Sequence, residues 1–386
     1  MDSMKILVTT PTYPPFNSGL GNATQQQVIS LTAHGCSVVV ATGGAGRGQR
    51  DDAASGARVE EFRVRGADSL LQPLRGDVGS YLEFLKTSEF DVIVMNAWQT
   101  WSTDLILKNI PAIKGRKYLY SNCVSTNLFL KKQPIRSSLR YLSWRPYMMR
   151  MPGRMKLLDG LIFVADQGCD SRFDDLRLAQ RLGTPYVVIP NAFSGLCIHG
   201  EGQTDSVPDK RHQLIAVGSY DWFKGHDFAL RSYALSGAKN KIPLKIFGPR
   251  FTGYTAELRS LASNLGLDAN LVTFHQNIGK EDLLDEYRRS KVMISGSHTE
   301  CQPLVLLDAM ATGTPFVARS CGCIPYLRGG IGVKTEGEAA ASINRILGDD
   351  LEWGNLSREG RLAASSTHHP EVVGKSLVAF LTRPSK

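Results

Sequence analysis

The chain has 386 residues, of which 42% are hydrophobic and 21% charged, values that exclude a mainly disordered or collagen-like protein and allow two or three compact domains. Lys and Arg total 45 against 36 Asp and Glu, a net +9 that points to an anionic partner or surface. Residues 1–190 hold 23 basic and 16 acidic residues, so most of the excess lies in the first half.

The chain reads as strand, glycine-rich turn and helix, repeated. Lys5–Thr10 (KILVTT) is a continuous apolar run, as expected of a strand covered on both faces. A Pro/Gly/Asn loop follows, then a helix over about Ala23–Ala33 that stops at Gly35. Further buried strands are expected at Ser37–Ala41, Asp91–Met95, Tyr118–Ser121, Gly160–Ala165 and Tyr186–Ile189. Residues 194–212 are polar, aperiodic and rich in Gly and Ser, which marks a linker. The alternation restarts with Gln213–Val217, Pro243–Phe247, Leu271–Phe274, Val292–Ser295 and Pro315–Ala318. This pattern predicts two α/β domains in tandem, over 1–193 and 213–365, with a C-terminal segment 366–386 that could pack across their junction.

Other classes close quickly. No window of about 18 uninterrupted apolar residues exists to span a bilayer, and the first apolar run breaks at Pro11, so it reads as a strand rather than a signal peptide. Seven scattered cysteines suit reduced thiols in a cytosol, and Cys321-Gly-Cys323, the one close pair, lacks the partners of a zinc set.

Ligands of open α/β sheets bind beyond the carboxyl ends of the strands, so the strand-to-helix loops carry the functional information. Asn17–Asn22 contains Gly19 and Gly21, which let backbone approach an anion at a helix start, or serve only a tight turn. Gly43–Gly48 imitates a dinucleotide fingerprint, but no helix opens after it, and it reads as a mobile loop. Val217–Gly225 places Lys224 where it could neutralise a diphosphate, or stand as a surface lysine. Ser295–Gly313 combines a strand end, a polar loop and a helix from about Pro303 to Thr312, with Pro303 at the first helical position and Gly313 as the stop. Glu300 precedes that helix and Asp308 lies about five residues into it, roughly 7–8 Å along the axis, so the two acids could grip different parts of one extended ligand. Alternatively Glu300 answers the helix dipole and Asp308 is solvated.

Taken together, the loops resemble the family 4 retaining glycosyltransferases. The matching landmarks are Gly19-Leu-Gly21, Val188-Ile-Pro-Asn-Ala192, Val217-Gly218 with Lys224-Gly225, Phe247-Gly248, and Glu300 through Asp308 to Pro315. That resemblance implies the GT-B fold, an α/β architecture of two Rossmann-like domains facing across a cleft. It implies a hexosyl transfer from a nucleotide diphosphate sugar, with no metal or other cofactor. Lys224 would contact the diphosphate, Glu300 the transferred sugar and Asp308 the ribose. Backbone near Gln302, Pro303 and Leu304 would hold phosphate or sugar oxygens, Asn277 and Ile278 would bound the base, and Gly19, Gly21, Gly218, Ser219 and Gly248 would complete the donor site. Three positions depart from the family: Ser219 stands where an arginine is common, with Arg250 or Arg319 as possible substitutes; Asp308 replaces a glutamate; and Asn96-Ala-Trp98 occupies a loop that often holds a histidine.

The acceptor side falls to the first domain, with Asn96, Trp98, Arg140, Arg145 and Arg150 as candidates. Residues 131–156 hold Lys131, Lys132, Arg136, Arg140, Arg145, Arg150, Arg154 and Lys156 without one acid, interleaved with Tyr141, Trp144, Tyr147, Met148 and Met149. Such a segment suits an anionic membrane surface and a glycan or lipid-linked acceptor, in a cytoplasmic protein peripheral to the inner face of the membrane. No nucleic-acid module surrounds it, so no nucleic-acid partner is expected. The alternative function is a catalytically weak or regulatory nucleotide-sugar-binding protein on the same fold.

Overall fold

The structure, a computed structural model, describes residues 3–16, 18–124, 129, 133–195 and 211–383. Asn17, Lys131, Lys132 and most of the expected linker (196–210) lie outside the described residues. The chain divides into two units, Met1–Asn191 with Pro370–Lys386, and Ala192–His369.

The first unit comprises β1 (Lys5–Thr9), α1 (Gly19–Ala33), β2 (Ser37–Gly43), β3 (Gly48–Asp51), β4 (Arg58–Phe62), β5 (Val64–Arg65), β6 (Arg75–Gly76), α2 (Val78–Thr87), β7 (Val92–Asn96), α3 (Trp101–Lys108), β8 (Arg116–Ser121), α4 (Pro134–Met155), β9 (Gly160–Phe163), α5 (Asp174–Leu182) and β10 (Tyr186–Val188). Eight strands form one sheet in the order β10-β9-β8-β7-β1-β2-β4-β3, parallel except for β3 against β4. Ile6, Leu7 and Val8 of the interior strand β1 have no exposed surface, which is why that strand carries an unbroken apolar run. Winding reverses between β1 and β7, which makes their carboxyl ends the switch point of this sheet.

The second unit comprises β11 (Gln213–Val217), α6 (His226–Leu235), β12 (Leu244–Gly248), α7 (Gly253–Asn264), β13 (Val272–Gln276), α8 (Lys280–Arg288), β14 (Ser290–Ser295), α9 (Leu304–Ala311), β15 (Phe316–Arg319), β16 (Gly330–Val333), α10 (Glu336–Gly348) and α11 (Asp350–Thr367). Its six-stranded sheet runs β13-β12-β11-β14-β15-β16. Counted within the unit, that is 3-2-1-4-5-6, the dinucleotide-fold order, with the switch point between β11 and β14. Alternate residues of β11 face opposite layers: Leu214 and Ala216 join Phe228, Leu230 and Ile343, while Ile215 joins Leu306, Leu307, Met310 and Tyr287.

The chain then returns to the first unit through α12 (Pro370–Leu381). Gly374 packs so closely on α1 that an added Cβ would lie 2.8 Å from the Ser30 side chain, and Phe380 meets Tyr118 edge-on at 5.3 Å.

Four expectations change. The first helix begins at Gly19, capped by the Ser18 hydroxyl on the Gly21 amide at 2.9 Å, so Gly19 and Gly21 sit in its first turn rather than in a loop. Gly43–Gly48 links β2 to β3, which lie on either side of β4 and both pair with it. β4 (RVEEF) escapes an apolar pattern because its buried Glu60 is paired with Arg58. Pro303 is extended (φ −76°, ψ 118°) and caps α9 from outside, so the helix starts one residue later, at Leu304.

Candidate active site

In the second unit, the loops after β11 and β14 flank the switch point and lock together. After β11 the chain makes a short 3-10 turn, Trp222–Lys224, and leaves it through Gly225 at φ +66°. A side chain at Gly225 would collide with the Gly296 backbone, so this left-handed residue sets the close approach of the two loops. The His298 amide donates to the Phe223 carbonyl at 2.8 Å and completes the junction. It brings the Lys224 ammonium to 2.7 Å from Glu300 Oε1, which also accepts from the Ser297 hydroxyl at 2.8 Å. Both partners are largely enclosed, at 29% and 13% side-chain exposure, so the pair is less screened by solvent than a surface pair.

Glu300 is braced from below. The Cys323 amide donates to the Cys301 carbonyl at 3.2 Å, and Gly322, at φ +54°, lies where any Cβ would strike the Glu300 carbonyl. Beyond it Gln302 is buried, Pro303 caps α9, and Leu304 opens the helix. Asp308 stands one turn further along. Its Oδ1 accepts the Ser194 amide at 2.7 Å, and burial pushes its carboxyl up to about 6 against the opposing pull of that amide and of Lys280. The reading of Asp308 as simply solvated therefore fails.

The next two strands shape the other side. Tyr220 donates to the carbonyls of Ile246 and His275, both at 2.8 Å, and its ring occupies the space above Gly248, where a Cβ would come within 2.6 Å. Gly218 donates to the Phe247 carbonyl at 3.0 Å, and His226, whose burial drives its imidazole down to about 4, lies 3.2 Å from the Gly218 carbonyl. Asn277 adopts φ +53° with its amide on the Gly248 carbonyl at 3.2 Å, and Ile278 packs on the Leu306 layer. Gly218, Ser219, Lys224, Asn277 and Glu300 lie on loops, Gly248 ends β12 and Asp308 lies in the second turn of α9, all toward the carboxyl end of the sheet.

The two arginines considered as substitutes at Ser219 differ. Arg319 is committed: its guanidinium lies 4.4 Å over Phe228, 2.7 Å from His298 Nδ1 and 3.8 Å from Glu336. Arg250 is exposed on the loop after β12.

The acceptor-side candidates belong to the first unit. Asn96 ends β7, is fully buried, and its side-chain amide has no hydrogen-bond partner among the described residues. Trp98 is also buried and donates from Nε1 to Asp175 at 3.0 Å, beside the Ser121 hydroxyl on the same carboxylate. Burial raises Asp175 to about 6. Ala97, Gln99 and Cys123 all adopt positive φ (68°, 62° and 66°), a concentration of backbone strain at the ends of β7 and β8.

The basic segment is a helix with two distinct sides, one of them buried. Trp144 and Tyr147 are core residues, edge-on at 5.5 Å. Tyr147 donates to Asp104 at 2.8 Å and receives Arg154 over its ring at 4.6 Å. Arg150 and Lys108, each at 2.7 Å, and Arg154 converge on Asp68. Burial alone would raise the Asp68 carboxyl, but these cations hold it below its ordinary value. Arg145 is exposed and Arg140 half-buried; the outward face carries Ile135, Leu139, Leu142 and Met149. The period of 3.6 residues explains the split: 144, 147, 151 and 155 share the buried side.

Comparison with known proteins bears on part of the chain and on its fold. Residues 211–349 match the sequence profile of Glycosyl transferases group 1. A D-inositol 3-phosphate glycosyltransferase of Streptomyces griseus is 30% identical over 206 residues, covering 52% of this chain and 39% of its own length. The chain spans about two fifths of the length of such curated relatives. Sucrose-phosphate synthase from Thermosynechococcus elongatus superposes with a TM-score of 0.74 at 17% identity over 98% of both chains. HepE of Anabaena, solved with UDP and glucose, gives 0.69 at 15% identity over 98% of this chain and 99% of its own. At such identities the structural likeness speaks for the fold, which is GT-B.

The chain therefore resembles the group 1 glycosyl transferases in its second unit and shares the GT-B fold.

The sequence singles out Lys224, Glu300 and Asp308 as candidates but not the residues that hold them. Ser297, Tyr220 and Gly322 were inside recognised loops, yet their contacts run between segments far apart in sequence. Asp68, Asp104 and Asp175 gave no signal, because a lone acid in a polar stretch looks solvated until its partners fold onto it.

Proposed function

We propose that the chain transfers a hexosyl group, with retention at the anomeric carbon, from a nucleoside diphosphate sugar to a glycan or lipid-linked acceptor. The Lys224–Glu300 pair across the switch point carries this reading. The leaving nucleoside diphosphate gains negative charge in the transition state, and a lysine aimed at that place stabilises it more than the ground state. Glu300 holds Lys224 in place before the donor arrives; with the donor bound, Lys224 turns to the diphosphate and Glu300 accepts hydroxyls of the transferred sugar. Asp308 accepts ribose hydroxyls, and the amides at the start of α9 face the sugar and phosphate oxygens. The departing phosphate takes the acceptor's proton, so no side-chain base is required. The relative solved with UDP and glucose agrees with this class of donor.

On the acceptor side, the exposed Ile135, Leu139, Leu142 and Met149, spaced by four, three and seven residues beside Arg136 and Arg145, favour contact with an anionic bilayer surface. No described helix is long and apolar enough to cross a membrane. Flotation with anionic vesicles tests this contact: Leu139→Ser with Leu142→Ser should abolish it, and unchanged flotation would refute it.

Assay of transfer and donor hydrolysis across UDP-, GDP- and ADP-sugars tests the reaction. Lys224→Ala and Glu300→Gln should each lower the rate about 100-fold or more. Near-normal rates in both would overturn the site.

A further inference from the structure

The Gly43–Gly48 connection, which serves no part of the donor site, forms one wall of a separate cavity of about 390 Å3 in the first unit. Gly44, Ala45, Arg63, Arg65, Gly76 and Asp77 line it. It opens where β2 and β4 end, since the Gly44 amide donates to the Phe62 carbonyl at 3.1 Å, and so lies at the carboxyl edge of a parallel sheet. The far wall is the β5–β6 ladder, fixed by Gly76 at φ +95°, where a Cβ would strike the Arg63 carbonyl.

The charges around this cavity are arranged differently from those nearby. Arg50 and Arg58, on β3 and β4, are paired with Glu61 and Glu60. The side chains of Arg63, Arg65 and Arg75 form no ion pair or hydrogen bond among the described residues, and Arg65 stands directly opposite Arg75 in the antiparallel register. Like charges facing each other across a two-stranded ladder repel, and a bound anion removes the repulsion. Asp77 precedes α2 without capping it through its side chain, which leaves its carboxylate available to a ligand's hydroxyls.

We propose that this cavity binds a phosphate ester of a sugar or polyol, with Arg63 and Arg65 on the phosphate and Asp77 on the hydroxyls. Guanidinium groups match phosphate oxygens bidentately, and the volume falls in the ordinary range of about 300–1,000 Å3 for small-molecule pockets. That the ligand is the acceptor rests on the transfer reaction proposed above; the phosphate site itself does not.

Isothermal titration of the full chain with glucose 6-phosphate, glucose and inorganic phosphate tests the site, alongside UDP and GDP in the same samples. Glucose 6-phosphate should bind at least 10-fold tighter than glucose, and Arg63→Gln with Arg65→Gln should erase that preference while leaving nucleotide binding unchanged. Asp77→Asn should weaken glucose 6-phosphate but not inorganic phosphate. Binding to vesicles containing phosphatidylinositol in place of the soluble ester, lost in the same double variant, would support the site and identify the phosphate as a lipid headgroup. A double variant that keeps its phosphate preference, or a native chain that recognises neither source, overturns the proposal. Should the double variant fail to fold, Arg75→Gln alone still decides: relief of the Arg65–Arg75 repulsion should raise the unliganded melting temperature, and a fall would count against the arrangement. Absence of any nucleotide binding by the native chain would instead strike the transfer reaction and leave the phosphate result standing.

Discussion

The two units use similar sheets and spend their charge in opposite ways. In the second unit Lys224 and Glu300 neutralise each other across a glycine-defined junction, and in the proposed reaction a diphosphate would compete with Glu300 for the lysine. In the first unit three cations converge on Asp68 and anchor α4, while the side chains of Arg63, Arg65 and Arg75, in or beside the β5–β6 ladder, have no ion-pair partner among the described residues. Charge count alone does not distinguish a structural cation from a binding one. What distinguishes them is whether an acid stands within reach once the chain has folded.

The strongest way to break this contrast is at Gly225. Gly225→Ala places a Cβ against the Gly296 backbone at a left-handed φ, which forces the β11 and β14 loops apart. Nucleotide affinity and transfer should fall about 100-fold or more, since a misplacement of about 1 Å costs that much. Binding of glucose 6-phosphate should be untouched. Equal loss of both ligands would mean that the two units are not functionally separable.

A second, smaller effect probes the first unit. Asp68→Asn removes the acid on which Lys108, Arg150 and Arg154 converge and should destabilise the fold by about 1–2 kcal/mol, chiefly by unpairing the enclosed Arg154, since Lys108 and Arg150 are solvent-screened. Urea denaturation measures it, and nucleotide affinity at low urea should stay at the native value. Unchanged stability would show that the cluster is solvated and that α4 is held by its apolar side alone.

A third probe is Ser297→Ala, which removes one hydrogen bond from Glu300 while leaving Lys224 in place. Transfer should fall about 5- to 10-fold, in line with about 1 kcal/mol for one hydrogen bond. Because Ser297 acts by positioning, the loss should appear in kcat with KM for the donor little changed, and Ser297→Thr should restore much of it.

The fold was legible because both sheets are buried on two faces, so strands such as β1, β7 and β11 appear as uninterrupted apolar runs. β3 to β6 were not, since they are short, lie toward a sheet edge or in a two-stranded ladder, and keep charged residues such as Glu60 and Arg65. Site legibility followed the same division. Lys224, Glu300 and Asp308 sit at fixed offsets from strand ends and helix starts, so local spacing is enough to single them out as candidates. The fate of the basic segment depended on Asp68 and Asp104, which precede it by dozens of residues, and spacing carries no information about such pairings.

The smallest expected effect is a pH dependence centred on Asp308. Its carboxyl is raised to about 6 in the folded chain, mainly by burial, above its ordinary 3.8. A raised carboxyl contributes stability that is fully present below the unfolded value and is lost as pH rises through the folded one. The ligand-free chain should therefore lose stability between about pH 4 and pH 6, with Asp104 and Asp175, also raised to about 6, acting in the same direction. Asp308→Asn should flatten one share of that slope in thermal melts. In the proposed donor complex the sign reverses: ribose hydroxyls would donate to the ionised carboxylate, so nucleotide affinity should rise several-fold from pH 5 to pH 7. The diphosphate also loses a proton near pH 6, and that contribution is common to both proteins. Only the difference between native and Asp308→Asn isolates the carboxylate. Identical pH slopes for nucleotide binding in the two would remove Asp308 from the ribose and leave it a purely structural acid bound to Ser194.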